Sequence, residues 1–268
     1  MHLFHSDTMG DRVNNIVEAG GAQGGNFVQS SVYNPVLNIH TSGREKFSQH
    51  FQRIKRIGQG SFGDAWLVKA KNVTSVGSFI MKEIRCCDQD ANAESQEIEI
   101  LKQVSHENVV QYIQHFFEES NLLIVMELYD GGDLRQLIEK KKPNQHIKET
   151  IVIDFIKQIT KGTAYLHSKK IIHRDLKPSN IFISSENRLK IGDFGISKKQ
   201  NKTVSMAKSV VGTLIYTAPE VHGGIPYNEK ADVWAVGCIL YELASLQPAF
   251  SGHTFLQSIM QVFNQYKS

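Results

Sequence analysis

From Phe51 onward, short apolar runs alternate with polar breaks, and from Thr150 onward apolar residues recur at helical spacing. Ala65-Trp-Leu-Val-Lys, Phe79-Ile-Met-Lys82, Asn108-Val-Val-Gln-Tyr-Ile and Leu122-Leu-Ile-Val-Met-Glu127 predict strands, being brief and rich in branched and aromatic residues. Thr150 to His167 predicts a largely buried helix through Ile151, Ile153, Phe155, Ile156, Ile159, Ala164 and Leu166. Asp232-Val-Trp-Ala-Val-Gly-Cys-Ile-Leu-Tyr-Glu-Leu243 predicts another, strongly apolar and buried. Strands first and helices afterwards indicate an α+β fold.

Residues 1–50 follow neither pattern. They carry only seven Asp, Glu, Lys and Arg residues and include Gly20-Gly-Ala-Gln-Gly-Gly25, which predicts a disordered Gly/Asn/Ser-rich tail. Phe27 to Ile39 is polar, low in charge and β-prone, which also admits self-association through this segment, although Pro35 interrupts it. Residues 44–51 lead into the folded part.

The chain has 268 residues, 41% of them apolar, enough for a sizeable core in one large domain or two small ones. Thirty basic and 27 acidic side chains leave a net charge of +3, which argues against nucleic acid or a membrane surface as the main partner. No apolar run reaches membrane-spanning length, and Met1-His-Leu-Phe-His-Ser-Asp has neither the basic nor the apolar region of a signal peptide. Cys86, Cys87 and Cys238 show no metal spacing and read as free thiols in a reducing compartment. The expected location is intracellular, cytoplasmic or nuclear.

Five stretches carry chemistry. In chain order they are Ile57-Gly-Gln-Gly-Ser-Phe-Gly-Asp-Ala65, Phe79-Ile-Met-Lys82, His173-Arg-Asp-Leu-Lys-Pro-Ser-Asn180, Ile191-Gly-Asp-Phe-Gly195 and Ala218-Pro-Glu220. The first could belong to a dinucleotide-binding turn, but that turn runs straight into a helix, and here Ala65-Trp-Leu-Val-Lys continues as a strand. Taken together, the five resemble the ordered signature of a eukaryotic protein kinase over residues 51–268.

The resemblance implies a two-lobed protein-kinase fold. Residues 51–129 would form a small β-rich N-lobe with one regulatory helix, and 130–268 a mainly helical C-lobe. It implies ATP and Mg²⁺ as cofactors, and protein substrates with Ser/Thr acceptors as partners. Asp175 would accept the proton of a substrate hydroxyl, and Lys177 would offset charge on the moving phosphoryl group. Asn180 and Asp193 would ligate Mg²⁺. Ile57, Gly58, Gln59, Gly60, Ser61, Phe62 and Gly63 would cover the phosphates, with Ala65 above the adenine. Lys82 would meet the α- and β-phosphates, oriented by Glu97, with Glu94 and Glu99 as rivals. Met126 stands as gatekeeper, the backbone of Glu127 and Tyr129 would bind adenine, Asp133 would touch the ribose, and Phe182 would form the floor. Lys140 to Lys142 reads as a solvated helix end. Between Asp193 and Glu220, Ser209 is the leading switch hydroxyl. Once phosphorylated it could pair with Arg174 and Lys198, Lys199 and Lys208; Thr203 and Ser205 are further candidates. Asp232 would tie down the catalytic-loop backbone.

Lys177 and Thr213 resemble the serine/threonine branch. Gly-Ser-Phe-Gly-Asp-Ala, Glu-Leu-Tyr-Asp-Gly-Gly-Asp-Leu, Asn-Ile-Phe and Tyr227-Asn-Glu-Lys-Ala-Asp-Val-Trp look like the NIMA-related kinases. Ile196 after Asp-Phe-Gly implies a lean toward threonine acceptors. Two departures stand out. Gly212-Thr-Leu-Ile-Tyr replaces the usual Gly-Thr-Pro-Tyr-Tyr. The pattern also runs out near Phe263, so a truncated C-lobe is expected, with Glu220 lacking its usual Arg partner. The alternative function is a truncated, non-catalytic kinase-fold regulator or scaffold.

Overall fold

The computed structural model describes residues 46–60, 63–71, 78–85, 98, 101–119, 121–141, 146–184, 186–193, 215–222 and 228–250, without the side chains of 59, 60 and 222. A five-stranded antiparallel sheet comes first. Its strands are β1 (Phe51–Gly60), β2 (Gly63–Ala70), β3 (Ser78–Arg85), β4 (Tyr112–Glu118) and β5 (Asn121–Glu127), in the order β1-β2-β3-β5-β4. Strand β5 is apolar throughout because both of its faces are covered. Leu122 and Ile124 join the main core, while Leu123 and Val125 pack with Val68, Phe79, Met81 and Phe116 on the other side.

A short helix α1 (Phe47–His50) closes that second face. Phe47 stacks on Phe51 at 5.6 Å, meets Phe116 edge-on at 5.6 Å, and carries the Arg53 guanidinium 5.5 Å from its ring centre. Phe47 therefore belongs to the sheet's core, ahead of the expected boundary at 50 and inside the stretch read as leading into the domain. The rest of the expected tail lies outside the described residues.

The helical half contains α2 (Leu134–Lys141), α3 (Glu149–Ser168), α4 (Pro219–His222) and α5 (Lys230–Ser245). Between α3 and α4 lies the hairpin of β6 (Ile181–Ile183) and β7 (Leu189–Ile191). Helix α3 matches the expected span within a residue at each end, but its buried stripe is Val152, Phe155, Ile159, Gly162, Thr163 and Leu166. Ile153, expected on that stripe, is 45% exposed, because the helical period that buries Val152 and Phe155 carries it outward. Helix α5 departs similarly from the fully buried element expected. Ala231, Ala235, Cys238, Ile239 and Leu243 are buried, while Val233, Leu240 and Tyr241 are exposed. Cys238, the one described cysteine, is a free thiol pushed up to about 12 by burial and by the nearby Glu242 charge. Among the described residues no helix is long and apolar enough to cross a membrane.

The β6–β7 hairpin joins the two halves. On one side Val110 N–H donates to Ile191 O at 2.8 Å and Ile191 N–H to Asn108 O at 2.9 Å. On the other, Gly131 N–H donates to Ile183 O and Ile183 N–H to Gly132 O, each at 2.9 Å. The hairpin is thus held to the chain just before β4 and just after β5, and whatever it carries faces the joint.

Replacing Phe47 by Ala should cost about 3 kcal/mol, the usual loss for a buried aromatic ring. Urea unfolding of the whole chain followed by tryptophan emission would read this through Trp66, on whose ring Arg53 also lies. An unchanged midpoint would mean that α1 is not part of the core.

Candidate active site

The site is assembled on a buried carboxylate. Asp232, in the first turn of α5, is 1% exposed. Its Oδ2 accepts His173 N–H at 2.8 Å and the His167 ring Nε2–H at 2.8 Å, and its Oδ1 accepts Arg174 N–H at 2.9 Å. These bonds hold the loop after α3 with Arg174 at φ +70°, a left-handed conformation that a non-glycine residue adopts at a cost. His173 is fully buried. Asp175 N–H donates to its Nδ1 at 3.2 Å, so the ring proton sits on Nε2, which donates to Gly192 O at 2.9 Å.

That frame presents three side chains together. Lys177 Nζ lies 3.1 Å from Asp175 Oδ2. Asn180 Nδ2 donates to Asp175 O at 2.7 Å and to its Oδ2 at 3.2 Å. Gly192 N–H donates to Asn180 O at 2.9 Å, which brings Asp193 alongside. Asp193 also has a positive φ, +57°, and its Oδ1 meets Lys82 Nζ at 3.1 Å. Lys82 is 4% exposed and lies 111 residues earlier in the chain. An ammonium so buried requires a carboxylate partner.

Beyond Lys82 and Asp193 opens an apolar pocket. It is lined by Ala65, Ile80, Val110, Met126, Glu127, Tyr129, Phe182 and Gly192 as well as by that ion pair. Six residues assigned to nucleotide binding therefore share one cavity: Ala65, Lys82, Met126, Glu127, Tyr129 and Phe182. Ile57 packs against the same cluster, and Gly58 pairs with Ala65 across β1–β2. Gln59 and Gly60 pair with Asp64 and Gly63 through the backbone, while Ser61 and Phe62 lie outside the described residues. Gly63 has φ +140°, and a Cβ there would fall 1.7 Å from Glu83 O, so the third glycine of the loop is obligatory.

Other assignments sit elsewhere. Asp133 is buried and caps α2, its Oδ1 accepting Gln136 N–H at 2.9 Å, and it does not line the pocket. Glu97, Phe194, Ile196, Ser209 and Thr213 lie outside the described residues, so the described partner of Lys82 is Asp193. Arg174 is exposed, and Glu220 is half-buried in α4 without an ion pair among the described residues.

Sequence reasoning missed Ile80, Val110 and Gly192. Ile80 was accessible, standing two residues before Lys82 on the same face of β3. At Gly192 a Cβ would meet the Phe182 ring at 2.5 Å, so only glycine lets the floor lie flat.

Residues 51–268 match the family described as protein kinase domain. The chain is 37% identical over 220 residues to the serine/threonine-protein kinase Nek1 of Mus musculus, covering 81% of this chain and 18% of that protein. It is 38% identical over 209 residues to Nek3 of Mus musculus, covering 78% and 40% respectively. To nekl-2 of Caenorhabditis elegans it is 36% identical over 223 residues, covering 80% and 62%. The chain thus spans between 18% and 62% of the length of these relatives.

Burial raises the Asp133 carboxyl from 3.8 to about 6, against the helix N–H groups that favour its charged form. A pKa raised by folding favours the folded state below pH 4, and that contribution is lost as pH rises through 6. Asp133→Asn retains a capping oxygen without the charge. The variant should be at least as stable as the parent at pH 7, with a flatter stability profile between pH 4 and 6, as measured by thermal unfolding across that range.

Proposed function

The chain belongs to the protein kinase family, on its NIMA-related branch, and on that premise we propose that it transfers the γ-phosphoryl group of ATP to serine and threonine hydroxyls of protein substrates. One observation carries the reading. Asp175, Lys177 and Asn180 contact one another, Asn180 is bonded to Gly192 beside Asp193, and Asp193 with Lys82 closes the end of an apolar pocket.

Asp175 accepts the proton of the acceptor hydroxyl, its carboxylate held by Asn180 and Lys177. Lys177, 3.1 Å from that carboxylate, offsets negative charge as the phosphoryl group moves. Lys82 supplies a buried positive charge beside the pocket for the phosphates. Ala65, Val110, Met126 and Phe182 enclose the adenine, with the backbone at Glu127 and Tyr129 along its edge.

The donor set fits Mg²⁺. The Asn180 amide directs its nitrogen at Asp175, which leaves Oδ1 as the ligand atom, and Asp193 adds a carboxylate. One amide oxygen and one carboxylate suit an ion which takes one or two protein oxygens and completes its shell with phosphate oxygens and water. When bound, Mg²⁺ supplies neutralisation of the phosphate oxygens. An intracellular site of action accompanies this reading, and Ile196 implies threonine as the favoured acceptor.

Asp175→Asn should lower phosphoryl transfer to a mixed Ser/Thr peptide pool at least about 100-fold, while nucleotide binding is retained. Lys82→Ala should lower both. Undiminished transfer by Asp175→Asn would overturn the assignment of the base. A folded parent chain that binds nucleotide but transfers nothing would favour the regulator reading.

A further inference from the structure

The pocket's adenine edge is held from behind by Lys190, which does not line it. Glu127, at the end of β5, directs its side chain away from the sheet toward the hairpin. Its Oε2 accepts from Lys190 Nζ at 2.6 Å and from Gln111 N–H at 3.2 Å. In return Glu127 N–H donates to Gln111 O at 3.0 Å. Gln111 is itself fixed, its Nε2 donating to Tyr112 O at 3.1 Å and Val104 O at 3.4 Å. Burial, together with the nearby Glu127 carboxylate, holds the proton on the Tyr129 phenol. Lys190 Nζ also lies 5.1 Å from the centre of the Tyr129 ring, within cation–π range. One ammonium therefore engages both residues whose backbone faces the adenine.

The position of Lys190 makes this consequential. It lies on β7 directly opposite Phe182, the pocket floor. Three residues beyond Glu127–Leu128, the chain is tied to the same hairpin by Gly131 N–H on Ile183 O. Lys190 thus secures the start of the connecting segment to the hairpin that already secures its end. The pair is largely shielded, Lys190 being 12% and Glu127 32% exposed, so it is less weakened by water than an open surface pair.

We propose that Lys190 is a positioning residue for nucleotide binding, setting the distance between the Glu127–Tyr129 backbone and the Phe182 floor through Glu127 and Tyr129. This rests on the kinase reading above. Lys190 does not itself line the pocket, so its effect reaches adenine only through Glu127 and Tyr129, which do. That separates it from Lys82, whose charge acts on phosphates.

The test compares adenosine, which lacks phosphates, with a non-hydrolysable ATP analogue, each titrated calorimetrically into the full chain. Lys190→Met should weaken both by the same factor, about fivefold (~1 kcal/mol). Lys190→Arg, which keeps the charge, should recover most of the loss. Glu127→Gln keeps the shape of its side chain and should reproduce the Met phenotype, covering the case in which Lys190→Met does not fold. Unchanged adenosine affinity in the folded variants would overturn the proposal. So would weakening confined to the ATP analogue, which signals only a long-range charge effect. A parent chain that binds both ligands but transfers no phosphate removes the catalytic reading and leaves this test intact. A parent that binds neither overturns both.

Discussion

Asp232 is the interaction on which the site depends. A carboxylate 1% exposed would be strongly destabilised without compensating donors, and here three donors converge on it. Two are the consecutive backbone N–H groups of His173 and Arg174, whose relative direction is set by the backbone torsions of His173. Arg174 itself has φ +70°, so the bonds to Asp232 fix the chain immediately ahead of its left-handed residue. From Asp232 the order passes through His173 to Gly192 O, and from Gly192 N–H to Asn180 O. Asp175, the proposed proton acceptor, and both proposed metal ligands are positioned by a continuous hydrogen-bonded path that begins in α5.

The β6–β7 hairpin carries that path to the other half of the molecule. Its two short strands are bonded on one side to Asn108 and Val110 and on the other to Gly131 and Gly132. The Phe182 ring, the Asn180 amide and Asp193 all sit on or beside this hairpin. A pocket between a sheet and a helical layer would ordinarily be free to widen. Here its floor is tied by backbone hydrogen bonds to the segments that lead into β4 and out of β5, so the hairpin is joined to the sheet at two points.

Much of this was legible in the sequence, and the pattern of what was not has a physical reason. His173 to Asn180 is contiguous, so the proximity of Asp175, Lys177 and Asn180 follows from chain length alone. The strands were legible because a buried strand writes its burial into consecutive residues, as Leu122 to Val125 does. The helices were legible in extent but less so in orientation. On α3 a run of branched residues, Ile151-Val-Ile153, contains both buried and exposed positions, and composition cannot choose between them. Least legible were partners distant in sequence, such as Glu127 with Lys190, separated by 63 residues. Such a pair has no periodicity, and each member alone reads as an ordinary solvated charge. Lys82 was read toward Glu97, which lies outside the described residues, and its contact with Asp193, 111 residues further on, leaves no mark in the sequence.

Helix α5 carries a second buried carboxylate, and the comparison with Asp232 explains why the helix bears charge at all. Glu242 is fully buried. It accepts the Tyr216 hydroxyl at Oε2 and lies 3.6 Å from the Arg135 guanidinium at Oε1, too far for a hydrogen bond. Tyr216 precedes Ala218-Pro-Glu220, and Arg135 belongs to α2. An apolar side chain at 242 would pack as well at less desolvation cost, so the carboxylate is poor evidence for stability. What it adds is direction, since an apolar contact tolerates sliding and the Tyr216 hydroxyl bond does not. Asp232 and Glu242 thus orient two irregular segments from one rigid helix, the first the catalytic loop and the second the chain around Tyr216. Both segments lack the backbone ladders that position strands and helices. Where a ladder is absent, a buried side-chain acceptor on a regular element is one means of fixing a loop, and α5 supplies it twice.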